Sequence, residues 1–448
     1  MNDLVSNSMS AAENVFVWRN SIDLSFIKII PGDWVVIKPN LVKESKETDP
    51  AEWQSVITSP QLIESVCVYV CERLSGRGKV TICDAPQTDS SFTQIAQRLD
   101  LFGIAERCSK QFGVSVEVID LRNEEWLCEQ GVITERKKIA VDPNGALAFN
   151  LGCDSLFFGY KGEGCYYGAD YDAGVVNQHH NGAIHEYLIC ATPVLADVFI
   201  NLPKMKTHKK TGVTLSLKNL VGINADKNWL PHHTEGSPAD GGDQFPDLTI
   251  KRKFEQSAVR LARSLALNTP IVGTWLAQKL RRAGTVAFGD GQRVIRSGNW
   301  YGNDTTWRMV LDLNRCLLYG NPDGTLRKEN PKRYYCLVDG IIGMEGMGPM
   351  QGDSVNSNVI IGGADPVVVD MVASRVMGFD WCKLPVIREA FNLTSYPISF
   401  ARPEQVVIFS DIPGWSGRFM DVIDHEFLSF KPHFGWAGHI EYEPQRRS

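Results

Sequence analysis

Five cationic or potentially cationic side chains, Lys204, Lys206, His208, Lys209 and Lys210, fall within the segment 204–210, directly after an apolar run closed by Leu202-Pro203. In an open α/β sheet the crevice beyond the carboxyl ends of the strands is where ligands sit. A lysine there is a point charge suited to a phosphate or carboxylate. Thr207 and Thr211 add hydroxyl donors, and Thr211-Gly212 can open a helix whose N–H groups aim at the same anion. Lys218-Asn219 follows one to two turns later, so Lys218 is expected to reach back towards that pocket. Neighbouring lysines lower the pKa of His208 by like-charge repulsion, which keeps the ring neutral and usable as a general acid, general base or metal ligand. The competing account is a solvated basic turn with a surface histidine.

A second polar cluster runs from Gly340 to Asp353 and contains Gly343, Glu345, Gly346, Gly348 and Gly352. It lacks the Gly-Lys-Ser/Thr ending of a phosphate-binding loop and the spacing of a dinucleotide fingerprint. A buried Glu345 would need a cation, a metal or a proton; otherwise the segment is a flexible lid with Glu345 in water. Asp84 and Asp339 each end an apolar run, and with Glu345 they would hold a divalent cation if all three converged. Asp365, ahead of Pro366, reads as a helix N-cap, and Asp370 faces either solvent or the cleft. Arg308 ends an aromatic stretch, Trp300 to Arg308, in which Asp304 is a candidate cap and the rings either wall a pocket or pack two regions together. His179-His180 and His232-His233 are not chelating pairs, because adjacent side chains diverge; they read as loop histidines in water.

The elements that must position these groups follow from periodicity. Trp34 to Lys38 is a continuous apolar strand that stops at Pro39-Asn40. Ser59-Pro60 opens a helix with Leu62, Ile63, Val66, Val70 and Leu74 on one face, and Val80 to Asp84 is the next strand. This is a βαβ unit with a crossover long enough for parallel pairing. A helix over Ser90 to Lys110 and a strand over Val114 to Asp120 continue the pattern. Val194 to Asn201, Tyr334 to Asp339 and Val359 to Ile361 read as further strands. Ile250 to Leu267, Ile271 to Arg282 and Asp365 to Val376 read as helices, and Trp300 to Leu318 holds a mixed helical run through Trp307, Leu311 and Asn314 to Leu318. The segment from Asn224 to Asp247 reads as an excursion over a cleft. The expected fold is α/β, a mostly parallel sheet with flanking helices and a large inserted or second region. It divides into 1–220 with anion-binding strand ends, a mostly helical 221–330, and 331–448 completing the fold.

Composition narrows the function classes. The 448 residues carry 46 Lys plus Arg against 52 Asp plus Glu, a net charge of -6, which argues against a nucleic-acid platform. No apolar stretch is long enough to span a bilayer, and the N-terminal segment lacks the pattern of a secretory signal. The 11 cysteines are scattered. Cys67 and Cys71 lie four apart in a helix, but nothing has CxxC spacing, so free thiols in a reducing cytoplasm are expected.

Several phrases resemble the DUF362 family of bacteria and archaea: Val36-Ile37-Lys38-Pro39-Asn40-Leu41, Asn201 to His208, Ser216 to Leu220, Gly343 to Pro349, and Gly362 to Asp370 followed by Met377-Gly378. The resemblance implies an α/β fold with an anion-binding cleft and no settled reaction. Some relatives carry a ferredoxin-like segment of closely spaced cysteines; this sequence departs from them, so an iron–sulfur cluster is not expected. Lys38, Asn40, Lys204, Lys206, His208, Lys218 and Glu345 match the family's polar phrases. Stretch 435–439, Gly-Trp-Ala-Gly-His, lies outside the resemblance and reads as a turn with a packed indole.

The sequence thus predicts a cytoplasmic protein with a small anionic metabolite, carboxylated or phosphorylated, as its partner. Lys38, Asn40, Lys204, Lys206, Lys218 and Arg308 would bind it, and His208 and Glu345 would move protons. A divalent cation is left open, and a non-catalytic anion-binding or scaffold protein is the alternative.

Overall fold

The computed structural model describes residues 13–444 apart from 47–48, 130–131, 169–172, 248, 250–251, 253–293, 330 and 426–427. The helices expected over Ile250 to Leu267 and Ile271 to Arg282 lie outside the described residues.

The chain enters through β1 (Asn14–Trp18) and β2 (Trp34–Pro39), crosses over by α1 (Pro60–Leu74), and returns through β3 (Lys79–Asp84). Pro60 sits in the first turn of α1, and Ser75 ends the helix in a left-handed conformation. The helix expected over Ser90 to Lys110 is two, α2 (Phe92–Arg98) and α3 (Leu101–Phe112), because Asp100 takes φ 53 between them. A positive φ is incompatible with a continuous right-handed helix. The strand β4 (Ser115–Asp120) follows.

The central run does not open as a strand at Val194. Ala191–Leu195 forms one helical turn, and β5 (Val198–Leu202) begins after it. The lysine-rich segment is no turn but a fully buried strand, β6 (Lys204–His208). Pro203 separates the two and turns the path along its neighbour. A five-residue helix α4 (Leu215–Asn219), the short strand β7 (Pro231–Thr234) and the helix α5 (Thr306–Tyr319) lead to a long hairpin. Its arms are β8 (Arg333–Glu345) and β9 (Asp353–Gly363), paired antiparallel from Cys336↔Gly363 to Glu345↔Asp353. The glycine-rich segment expected as a lid is therefore half strand, 340–345 and 353, with 346–352 forming the turn between the arms. Its glycines permit close packing: a Cβ on Gly340 would lie 2.8 Å from the Val359 side chain and one on Gly343 2.7 Å from Phe430. The helix α6 (Pro366–Val376) is capped by Asp365, whose carboxylate accepts from the Val367 and Val368 amides, as expected. β10 (Val407–Ser410) and β11 (Gly417–Arg418) complete the sheet.

Nine strands lie across this sheet in the order β11-β10-β1-β9-β8-β5-β2-β3-β4, with β6 pairing further along β8. From β8 through β5, β2, β3 and β4 every neighbour is parallel. Helices α1 and α3 cover one face through Leu62, Val66, Val70, Ile104 and Cys108; α5 and α6 cover the other through Leu313, Leu317, Val368 and Val372. The architecture is α/β as expected, with small accessory sheets beside the main one.

Candidate functional site: a cation-lined rim at the strand ends

Parallel register places the polar strand ends on one rim. Lys38 lies opposite Asn201, and Leu202 opposite Pro39. At this rim the buried amines are engaged by the protein itself. Lys38 is fully buried and pairs with Asp84 at 2.7 Å, while the two carboxylate oxygens of Asp84 also accept from the Leu41 and Ala85 amides. Lys204 pairs with Asp339 at 2.9 Å. The Lys206 amine donates to Asn40 Oδ1 and to the Val56 carbonyl, both at 2.8 Å, and has no carboxylate partner. Burial and the neighbouring Lys204 and Lys218 push its pKa well down. Asn40 donates to Asn219, and Asn219 to Asn201, so an amide chain ties β2 to α4 and β5.

The groups with unused capacity lie just beyond this layer. α4 is held from beneath by Asp370 on α6, whose carboxylate oxygens accept from the Ser216 amide at 2.7 Å and the Leu217 amide at 2.9 Å. Asp370 thus faces neither solvent nor cleft but anchors the helix that carries Lys218. Burial raises its pKa to about 7 against those two hydrogen bonds. Lys218 is 9% exposed and makes no hydrogen bond or ion pair with the described residues. Burial, reinforced by Lys38 and Lys209, brings its pKa down to about 7.

His208 ends β6. Its Nδ1 accepts from the Lys210 amide at 3.0 Å and the Thr211 amide at 3.3 Å, while the Thr211 hydroxyl donates to the Val213 carbonyl. The proton of the neutral ring therefore sits on Nε2, which has no protein partner among the described residues. Burial first, then the cationic surroundings of Lys218, Lys209, His232 and Lys210, hold the ring well below the ordinary histidine range. His232 on β7 has the opposite tautomer: Nδ1–H donates to the Leu230 carbonyl at 3.1 Å, leaving a lone pair on Nε2. Burial, Lys210 and Lys218 likewise keep it neutral. Lys218 acts electrostatically on both rings, so an amine, an N–H donor and a basic nitrogen stand in one neighbourhood, none with a partner among the described residues.

The C-terminal segment braces this region. Trp436 is buried, and its indole donates to the Lys209 carbonyl at 2.9 Å, which is the packed indole expected there. His433 lies nearby, held at about 4 by burial and Lys209.

The remaining expected residues lie apart. The Glu345 carboxylate accepts from the Lys431 amide at 2.8 Å and faces its ammonium at 3.3 Å. Asp84, Asp339 and Glu345 thus each face a different lysine, and they do not form a cation site. Arg308 forks onto Asp304, donates to the Leu156 carbonyl, and lies over the Tyr160 and Trp307 rings. Asp304 is therefore an ion-pair partner rather than a cap; Asn303 accepts from the Thr306 amide instead. Arg308, Trp307 and Tyr301 line a separate cavity of about 440 Å³. The histidines expected in water are packed as well: His180 is fully buried against Phe157 and Tyr187, His179 stacks on Trp229 at 3.3 Å, and His233 stacks on Tyr167 at 4.9 Å.

Among the described residues, the group spaced to hold a metal ion consists of thiols, Cys67, Cys71 and Cys108, with sulfur atoms within 4.8 Å of one another. Cys67 and Cys71 share a face of α1 and Cys108 comes from α3. Hydrogen bonding to Cys108, together with burial, pushes the Cys67 and Cys71 thiols up, Cys71 to about 12. The spacing of four between the first two is visible in the sequence; the third comes from helix packing.

No curated protein matches the chain. A crystal structure of a Thermotoga maritima protein, a structural genomics target, aligns at 10% identity with a TM-score of 0.30, covering 84% of this chain. The chain spans 57% of that protein's length. The family model described as a domain of unknown function, DUF362, matches residues 35–142 and 132–375, which include the lysine rim, α4, His208 and the β8–β9 hairpin. The chain belongs to the DUF362 family.

Proposed function

We propose that the protein is an enzyme acting on a small carboxylated or phosphorylated metabolite bound beside Lys218, His208 and His232. The observation that carries this reading is Lys218, a buried amine with no counter-ion among the described residues, acted on by the cations Lys38 and Lys209. A cation held among cations is costly without a partner, and an anion that enters supplies one. It also meets the Nε2–H of His208 as a donor. The Nε2 lone pair of His232 can then take a proton from the bound molecule, provided the reacting atom comes within hydrogen-bond reach.

This assignment moves the expected roles. Lys38, Lys204, Lys206 and Asn40 build and charge the rim, while Lys218 contacts the anion. His208 acts as a donor, and His232 takes the basic role first given to Glu345. Thermal unfolding with phosphate, citrate and 2-oxo acids, each against chloride at matched ionic strength, tests the reading. At least one anion should stabilise the wild type and lose its effect in Lys218→Met. Equal behaviour of all anions and chloride would refute it.

A further inference from the structure

The Lys218 amine differs from every other lysine at the rim. Lys38 and Lys204 face carboxylates, and Lys206 is fixed by Asn40 and a backbone carbonyl. Lys218 is the one of these four whose nitrogen lone pair, once the proton leaves, is not aimed into an existing contact. It is carried on a helix clamped by Asp370, so its base is fixed, and the residue keeps a small exposed fraction. Beside it stand an N–H donor and a basic nitrogen with no partners among the described residues.

We infer that Lys218 is a covalent nucleophile that forms an imine with a small carbonyl compound bearing a carboxylate or phosphate. The inference rests on the anion-binding reading above and names its substrate class. The amine lone pair attacks the carbonyl carbon, forming a C–N bond as the C–O π bond breaks. His232 Nε2 takes the proton lost by nitrogen and His208 Nε2–H holds the oxygen or the anionic group. His232 returns that proton to the carbinolamine oxygen, a second proton from solvent lets the C–O bond break with loss of water, and the iminium nitrogen then gives up its remaining proton to leave the imine; nothing is oxidised or reduced. A lysine desolvated beside other cations is the kind of amine that performs this step at neutral pH, because a large fraction of it is unprotonated. With its pKa near 7, about half of the Lys218 amine is free base at pH 7. An imine nitrogen in turn activates the neighbouring carbon, so the reactions it opens are proton abstraction, decarboxylation or carbon–carbon cleavage next to the carbonyl.

The test is trapping. The intact protein is incubated at pH 7 with cyanoborohydride and either glyoxylate, for the carboxylate arm, or dihydroxyacetone phosphate, for the phosphate arm. Adducts are then located by peptide mass mapping, and phosphate binding is followed in parallel by thermal shift. Reduced adduct should accumulate on Lys218 at least about tenfold faster than on surface lysines, given their ordinary pKa near 10.4. Its rate should rise with a midpoint near pH 7, and phosphate should suppress it. Lys218→Arg, which keeps the charge, should still bind phosphate and give no adduct there. His232→Gln should slow trapping while leaving phosphate binding in place. Labelling of Lys218 no faster than surface lysines, with phosphate still stabilising the protein, would overturn the imine and leave the anion site standing. Labelling that phosphate does not compete, with no stabilisation by phosphate, would instead overturn the anion reading.

Discussion

Replacing Lys218 by Met should stabilise the protein, and should do so most at low pH. The amine ionises near 7 in the folded chain and near 10.5 in the unfolded one. Between these values the unfolded state binds more protons, so wild-type stability rises with pH across that window. Below pH 7 the full cost of placing this group in the fold is present, roughly 5 kcal/mol at 1.36 kcal/mol per unit of pKa. Near pH 9 it is about 2 kcal/mol, and above 10.5 it vanishes. Methionine fills a similar volume without a charge, so Lys218→Met removes the cost while keeping the packing.

Urea unfolding of wild type and variant at pH 6, 7.5 and 9, in a zwitterionic buffer free of small anions, reads the difference. The variant's advantage should be several kcal/mol at pH 6 and shrink steadily towards pH 9. Adding phosphate at pH 6 should raise the wild type and not the variant, closing part of the gap. A Lys218→Met protein less stable than wild type at pH 6 would show that the amine has a favourable partner. The electrostatic picture of the site would then be wrong.

Three further outcomes follow from the same contacts. Gly222→Ala should cost about 3–5 kcal/mol in urea unfolding, the price of breaking a buried ion pair, because its Cβ would lie 2.0 Å from Asp84 Oδ1 and 2.8 Å from Lys38 Nζ. Asp370→Asn replaces one acceptor by a donor facing a backbone amide, so phosphate stabilisation should fall although residue 370 touches no ligand. Because the Asp370 pKa is raised to about 7 in the fold, the wild type should lose stability relative to this variant as pH rises from 4 to 7, read by the same unfolding series. Trp436→Phe, which removes the indole donor to the Lys209 carbonyl, should weaken phosphate binding measured by thermal shift while lowering stability by only about 1 kcal/mol.

How far the sequence exposes this arrangement depends on whether the signal is local. The apolar run Trp34 to Lys38, the face of α1 and the Asp365-Pro366 cap all act within one element, and each is found where its pattern places it. Glycine was the misleading signal. At Gly340 it marks close approach across the hairpin, and at Gly343 close approach to Phe430, rather than a flexible loop. The break at Asp100 has no Gly or Pro to announce it. The cysteine trio was half legible, since Cys67 and Cys71 share a helix face but the partner from α3 is set by how two helices pack.

The candidate site shows the same division more sharply. Residue types and strand ends bring Lys38, Asn40, Lys204, Lys206, His208 and Lys218 to one rim, which the Lys206–Asn40 bond closes directly. What separates these residues is pairing, and pairing is non-local. Asp84 and Asp339 come from other strands and neutralise two of the lysines; Lys431 engages Glu345; Asp304 takes Arg308. Histidine adjacency argues against chelation by His232-His233 but says nothing of burial, and β7 places His232 where burial, Lys210 and Lys218 hold it neutral. A cluster of like charges in sequence therefore defines a rim, and chemistry falls to the members left over once distant carboxylates are matched. Here that remainder is Lys218 with His208 and His232, and two of the three were visible before the fold.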